Sequence, residues 1–208
     1  MAAQEGGARR IELCSRLEVG GVTPSDEIIR EVLECVSIPV NVLVRPREGD
    51  FVYGVDEADE IIATINRCKE QGVNGIVVGA LTKDADIDVP VMKQFMKAAE
   101  PLEVTFHRAF DECRDPQKAL EDIISLGCKR LLTSGQAPSA PEGAALIKEL
   151  IDQAAGRIII MPGAGIKPEN IAALVKTTGA TEYHGSARGK SGATDRAVVR
   201  ATAEMKKG

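Results

Sequence analysis

The chain has 208 residues, 44% of them hydrophobic and 3% aromatic, with a formal net charge of −5. That length suits one barrel-sized core, a single domain over residues 1–208, and argues against two domains. With no cationic run, no aromatic platform, no apolar stretch of about 18 residues and no apolar leader in MAAQEGGARR, the reading is a cytoplasmic protein with no nucleic-acid or membrane partner.

Seven short apolar runs, each followed by an amphipathic helix pattern, read as strands: Arg10–Cys14, Ile38–Val44, Gly75–Leu81, Leu102–Phe106, Arg130–Thr133, Arg157–Met161 and Thr181–His184. Their starts lie 28, 37, 27, 28, 27 and 24 residues apart, one βα unit each, because a parallel strand is reached through a crossover helix. Helix signals fall between them. Ser25–Val36 follows Thr23–Pro24; a helix opens at Asp115–Pro116 and stops at Gly127; another opens at Pro168 and stops at Gly179; Thr194–Lys206 is the last. Seven such units predict an α/β fold of the TIM-type (β/α) barrel class, and the dinucleotide fingerprint GxGxxG of an open doubly wound sheet is absent.

Active groups of such a barrel gather at the carboxyl ends of its strands. Polar residues appear there in five of the seven units: Arg45–Pro46–Arg47 with Asp50, His107–Arg108 with Asp111, Thr133–Ser134–Gly135–Gln136, Pro162–Gly163–Ala164–Gly165, and His184–Gly185–Ser186–Ala187–Arg188. Residues two apart share a strand face, so Glu12 goes with Cys14, Thr105 with His107, and Glu182 with His184 and Ser186. Glu12 and Glu182 are expected to point inward, where Arg45, Arg47 or Arg108 could neutralise them; a buried ion-pair layer without chemistry remains the alternative.

An enzyme reading makes Arg45, Arg47 and Arg108 the groups that orient an anion. His107 or His184 then exchanges a proton near neutral pH, and Glu12 or Asp111 serves as carboxylate base or orienter. Ser134, Gly135, Gly163, Gly165, Ser186 and Arg188 form the candidate anion-binding turns, suited to a phosphorylated small molecule; the same glycines could merely make tight turns. No lysine stands at a strand end to form an imine.

Five cysteines, Cys14, Cys35, Cys68, Cys113 and Cys128, are widely spaced with no CxxC pair, which speaks against a disulfide framework and a structural zinc site. Cys35, Cys68 and Cys128 read as small buried hydrophobes. Cys14, at a strand end, is the candidate metal thiolate, with His107, His184, Met161 and Cys113 as possible company for a soft ion such as Cu(I).

The runs Arg10–Ile11–Glu12–Leu13–Cys14–Ser15, Gly20–Gly21–Val22–Thr23–Pro24–Ser25 and Val44–Arg45–Pro46–Arg47 resemble the CutC copper homeostasis family. So do Thr105–Phe106–His107–Arg108–Ala109–Phe110–Asp111, Leu132–Thr133–Ser134–Gly135, Met161–Pro162–Gly163–Ala164–Gly165 and Glu182–Tyr183–His184–Gly185–Ser186–Ala187–Arg188. The resemblance implies a cytoplasmic TIM-type barrel, copper handling with Cu(I) as the bound ion, and Cys14 as its ligand. Family chains open with a strand reading like Glu-Val-Cys-Val-Asp, whereas Ala2–Gly7 here resembles the end of the helix that follows it. The expectation is therefore a seven-stranded, incomplete barrel that associates as a homo-oligomer through its open edges. A barrel enzyme acting on an anionic small molecule, and an interaction scaffold with a vestigial site, stay open beside copper handling.

Overall fold

The computed structural model describes residues 1–205. The chain divides into two compact units, one of Arg10–Lys129 and one of Met1–Arg9 with Arg130–Gly208.

The first unit carries β1 (Ile11–Leu13), α2 (Asp26–Cys35), β2 (Val40–Leu43), α3 (Val55–Glu70), β3 (Gly75–Val78), α4 (Val89–Ala99), β4 (Glu103–Phe106) and α5 (Pro116–Ser125). The strands pair in parallel in chain order, with Leu13 opposite Val42, Leu43 opposite Val77, and Val77 opposite Thr105. Val42, Ile76, Val78, Val104 and Phe106 are at most 2% exposed, as expected of strands buried on both faces. Cap chemistry sets the helix starts. Ser25 Oγ accepts the Ile28 N–H, Asp88 Oδ1 the Val91 N–H, and Asp115 Oδ1 the Lys118 N–H, so each helix begins where its first donors find an oxygen.

The second unit carries α1 (Ala2–Glu5), β5 (Arg130–Thr133), α6 (Ala144–Ala154), β6 (Ile159–Pro162), α7 (Pro168–Thr178) and α8 (Arg196–Met205). β5 and β6 are parallel, with Leu132 opposite Met161. Gly6 packs directly on α8, where a Cβ would stand 2.5 Å from Val199 Cβ, and Arg196 reaches Glu5 at 3.4 Å. The terminal helix was expected to run to Lys206, which lies outside the described residues.

One expected strand is absent from the described residues. Thr181–His184 is irregular, tied to β6 by the His184 N–H on the Pro162 carbonyl at 2.8 Å. Pro162 ends β6, and the following Ala164 and Gly165 both turn to a φ of +72°. Cys35, expected inside, is exposed, because it ends α2 on the solvent side; Cys68 and Cys128 are buried as expected, and Cys113, named as possible company for a metal, is buried too.

Candidate functional site

The parallel register decides which side chains meet in the first unit. Glu12 stands level with Asn41, Gly75 and Glu103. One row up come Leu43, Val77 and Thr105, with Cys14 one residue beyond β1 on the same line. Two residues further on, the bonds from Val44 N–H to Val77 O and from His107 N–H to Val78 O carry the register forward, and Arg45, Gly79 and His107 come abreast at the carboxyl ends.

Gly79 makes that row possible. A Cβ there would lie 2.8 Å from both Cε1 and Nδ1 of His107, so the imidazole leans over the bare glycine backbone. His107 is 5% exposed, and its Nδ1 accepts the Ala109 N–H at 3.2 Å as it caps the single turn that follows β4. An accepting Nδ1 places the ring proton on Nε2. Nε2 is buried with no partner among the described residues, and so is the hydroxyl of Thr105, two residues earlier on the same face.

Arg45 stands on the other flank and is 6% exposed. Its Nη1 donates to the carbonyls of Val19 (3.2 Å) and Gly21 (3.1 Å), and its Nη2 to that of Gly49 (2.7 Å). The guanidinium lies 4.7 Å from the Phe51 ring centroid, and Phe51 is 4.9 Å from the imidazole. No carboxylate pairs with Arg45 among the described residues, and its Nε–H is buried without an acceptor. Burial and the Arg45 charge push the His107 pKa down to about 3. His107 is thus a neutral hydrogen-bond donor at physiological pH, and the proton exchange near neutrality that the sequence suggested does not suit it.

The other sequence candidates are occupied. Arg47 Nε donates to Glu57 Oε1 at 2.5 Å and Nη2 to Asp50 Oδ1 at 3.0 Å, which raises the Arg47 pKa and lowers that of Glu57. Arg108 pairs with Asp111 at 2.8 Å; the arginine is half-exposed and the carboxylate nearly buried. Neither arginine is positioned as a free anion clamp.

In the second unit, Glu182 meets Arg130 at 2.8 Å, so its neutralising partner is the arginine at the start of β5 rather than Arg45, Arg47 or Arg108. Ser134 Oγ donates to the Ala137 carbonyl at 2.6 Å, and the Gly135 N–H donates to Thr133 Oγ1 at 2.8 Å. A Cβ on Gly143 would fall 1.9 Å from the Ser134 carbonyl, so this turn needs glycine for close backbone approach. His184 packs against Gly163, whose added Cβ would lie 3.4 Å from the His184 Cβ. Asn170 closes the start of α7, accepting the Lys167 N–H at 2.9 Å and donating to the Gly165 carbonyl at 2.8 Å. Ser186 and Arg188 are exposed, and the Ser186 carbonyl accepts from Thr194 Oγ1. These contacts give the glycines a turn-making role.

For a metal, Cys14 is half-buried beside Gly21 and in line with Leu43, Val77 and Thr105. No group of three or more His, Cys, Asp or Glu side chains able to hold an ion exists among the described residues. Cys14 brings one thiol to this row, beside Leu43, Val77 and Thr105. No helix among the described residues is long and apolar enough to cross a membrane.

The strand-end rule had named Arg45 and His107 as candidates. It missed Phe51 and Gly79; the signal for Gly79 was a glycine ending an otherwise apolar strand, legible only once the register is known.

Comparison with known proteins places the chain. The CutC family matches residues 1–189. A CutC family protein of Pasteurella multocida is 54% identical over 187 residues, covering 90% of this chain and 77% of that one, and one of Chromobacterium violaceum is 50% identical over 190 residues, covering 91% and 77%. Among solved structures, a CutC chain of Streptococcus agalactiae, provisionally named for copper homeostasis, superposes with a TM-score of 0.82 at 36% identity, covering 85% of this chain and 87% of that chain. Phosphoribosylanthranilate isomerase of Thermotoga maritima shares the fold alone, with a TM-score of 0.66 at 14% identity over 99% of this chain and 91% of that chain. The fold is TIM-like, and the chain belongs to the CutC family.

Proposed function

We propose that this CutC-family chain binds a small anionic molecule at the carboxyl ends of β2, β3 and β4, in the manner of a barrel enzyme. The observation that carries the reading is Arg45, a buried guanidinium with no carboxylate partner among the described residues and an unpartnered Nε–H. A buried cation is costly unless an opposite charge compensates it, and here a ligand is the natural source of that charge. His107 Nε2–H and the Thr105 hydroxyl add two further unsatisfied groups from the neighbouring strand. Five groups act together: Arg45 supplies charge, His107 a fixed donor, Thr105 a hydroxyl, Phe51 an apolar wall and Gly79 the room that the imidazole occupies.

The test is thermal stability in the presence of small carboxylates and phosphates at constant ionic strength. A native-state ligand at 100 times its Kd adds about 2.7 kcal/mol. Stabilisation that disappears in Arg45→Met is the expected result; no stabilisation by any anion counts against the reading.

Copper handling is the second reading. It rests on the provisional name of the Streptococcus agalactiae relative and on Cys14, a soft ligand at a strand end. In this reading copper is cargo rather than a resident cofactor. Tight Cu(I) binding in an anaerobic titration that is abolished by Cys14→Ser would favour it.

A further inference from the structure

The charge and donor inventory around Gly79 narrows the class of ligand, taking the anion site proposed above as its premise. Arg45 brings one positive charge. Three of its five N–H donors go to the carbonyls of Val19, Gly21 and Gly49, which leaves the buried, unpartnered Nε–H and one Nη2–H. His107, with Nδ1 already accepting the Ala109 N–H, offers Nε2–H and no charge. Thr105 offers a hydroxyl, and all three residues are more than nine-tenths buried.

A dianionic phosphate placed here would leave one negative charge buried and uncompensated. A carboxylate would leave none. Two carboxylate oxygens provide about four lone-pair positions, enough to accept from Nε–H, Nε2–H and the threonine hydroxyl together. The row is also narrow: Arg45 and His107 are two strand spacings apart, about 9.6 Å between strand axes, and the imidazole already covers Gly79. A flat group with two oxygens suits that gap better than a tetrahedral one with four.

We propose that the Arg45–Thr105–His107 site takes the carboxylate of a small monocarboxylic acid, in preference to a phosphate ester. The carboxylate neutralises Arg45, accepts the unpaired Nε–H of Arg45 and Nε2–H of His107, and lies beside the Phe51 ring.

The experiment follows the His107 Nε2–H resonance of the 15N-histidine-labelled chain at pH 8, where phosphate is dianionic, during titration with sodium acetate, sodium pyruvate, sodium phosphate and methyl phosphate at fixed ionic strength. The expected result is a saturable downfield shift with acetate and pyruvate and none with the phosphates. The isosteric variant Thr105→Val should weaken pyruvate binding about tenfold, the loss of one hydrogen bond to a charged group. Equal or stronger shifts with the phosphates would overturn the carboxylate assignment and leave the anion site standing. No saturable shift with any of the four would overturn both. The parent titration decides the question by itself if Thr105→Val does not fold.

Discussion

Arg45 and His107 flank Gly79 at the ends of three adjacent strands, joined through the Phe51 ring, which lies 4.7 Å from the guanidinium carbon and 4.9 Å from the imidazole centroid. The relationship depends on an absent side chain. Gly79→Ala places a methyl 2.8 Å from two imidazole atoms, and His107 is held by its cap on Ala109. Overpacking of this kind costs about 1–3 kcal/mol. Urea denaturation should show the unfolding free energy falling by that amount, as a lower midpoint with the slope unchanged, and anion binding should be lost.

Arg45 also has a structural task. Its three carbonyl contacts tie the loop after β1 to the loop after β2, and its backbone N–H donates to Thr23 Oγ1 at 2.9 Å. Arg45→Met removes the donor from one buried bond, to Gly21, and from two part-buried ones, to Val19 and Gly49, at a cost of about 3 kcal/mol after water enters. Hydrogen exchange should accelerate at residues 19–23 and 47–52 before it does in β4.

The pH dependence of stability follows from His107. Its pKa in the folded chain, about 3, lies below the ordinary value of 6.5. Between those values the unfolded chain binds a proton that the folded chain refuses, so stability falls as pH drops through 6.5 and continues to fall toward 3, with a limiting slope of about 1.4 kcal/mol per pH unit. His107→Gln should remove this contribution, seen as a flatter plot of unfolding free energy against pH in that window. An unchanged plot would mean that the imidazole is not kept neutral.

Glu182→Gln tests the ion pair with Arg130, whose side chain is 9% exposed against 28% for Glu182. Arg130 keeps further contacts and the carboxylate is partly screened, so the expected loss is about 1–2 kcal/mol, measured by urea denaturation with unchanged slope.

Much of the scaffold was legible in the sequence, because strand burial and cap chemistry leave local marks. Apolar runs located β1 to β6, and Ser25, Asp115 and Gly179 marked helix ends to within a residue. Thr181–His184 misled, since its alternation resembles a strand while the ladder it would join ends at Pro162. The strand-end rule picked out Arg45 and His107. It could not separate Arg45 from Arg47 and Arg108, because pairing with Glu57 and Asp111 is a matter of three-dimensional distance. Nor could it show Gly79, whose meaning depends on which residues the register sets beside it.

The most direct test is the 15N spectrum of the histidine-labelled chain at pH 6. The account predicts a neutral His107 with its proton on Nε2, sharply distinct from a charged ring, and a resonance that responds to a small carboxylate. A charged imidazole at that pH, or a proton on Nδ1, would contradict the buried donor on which the proposed site rests.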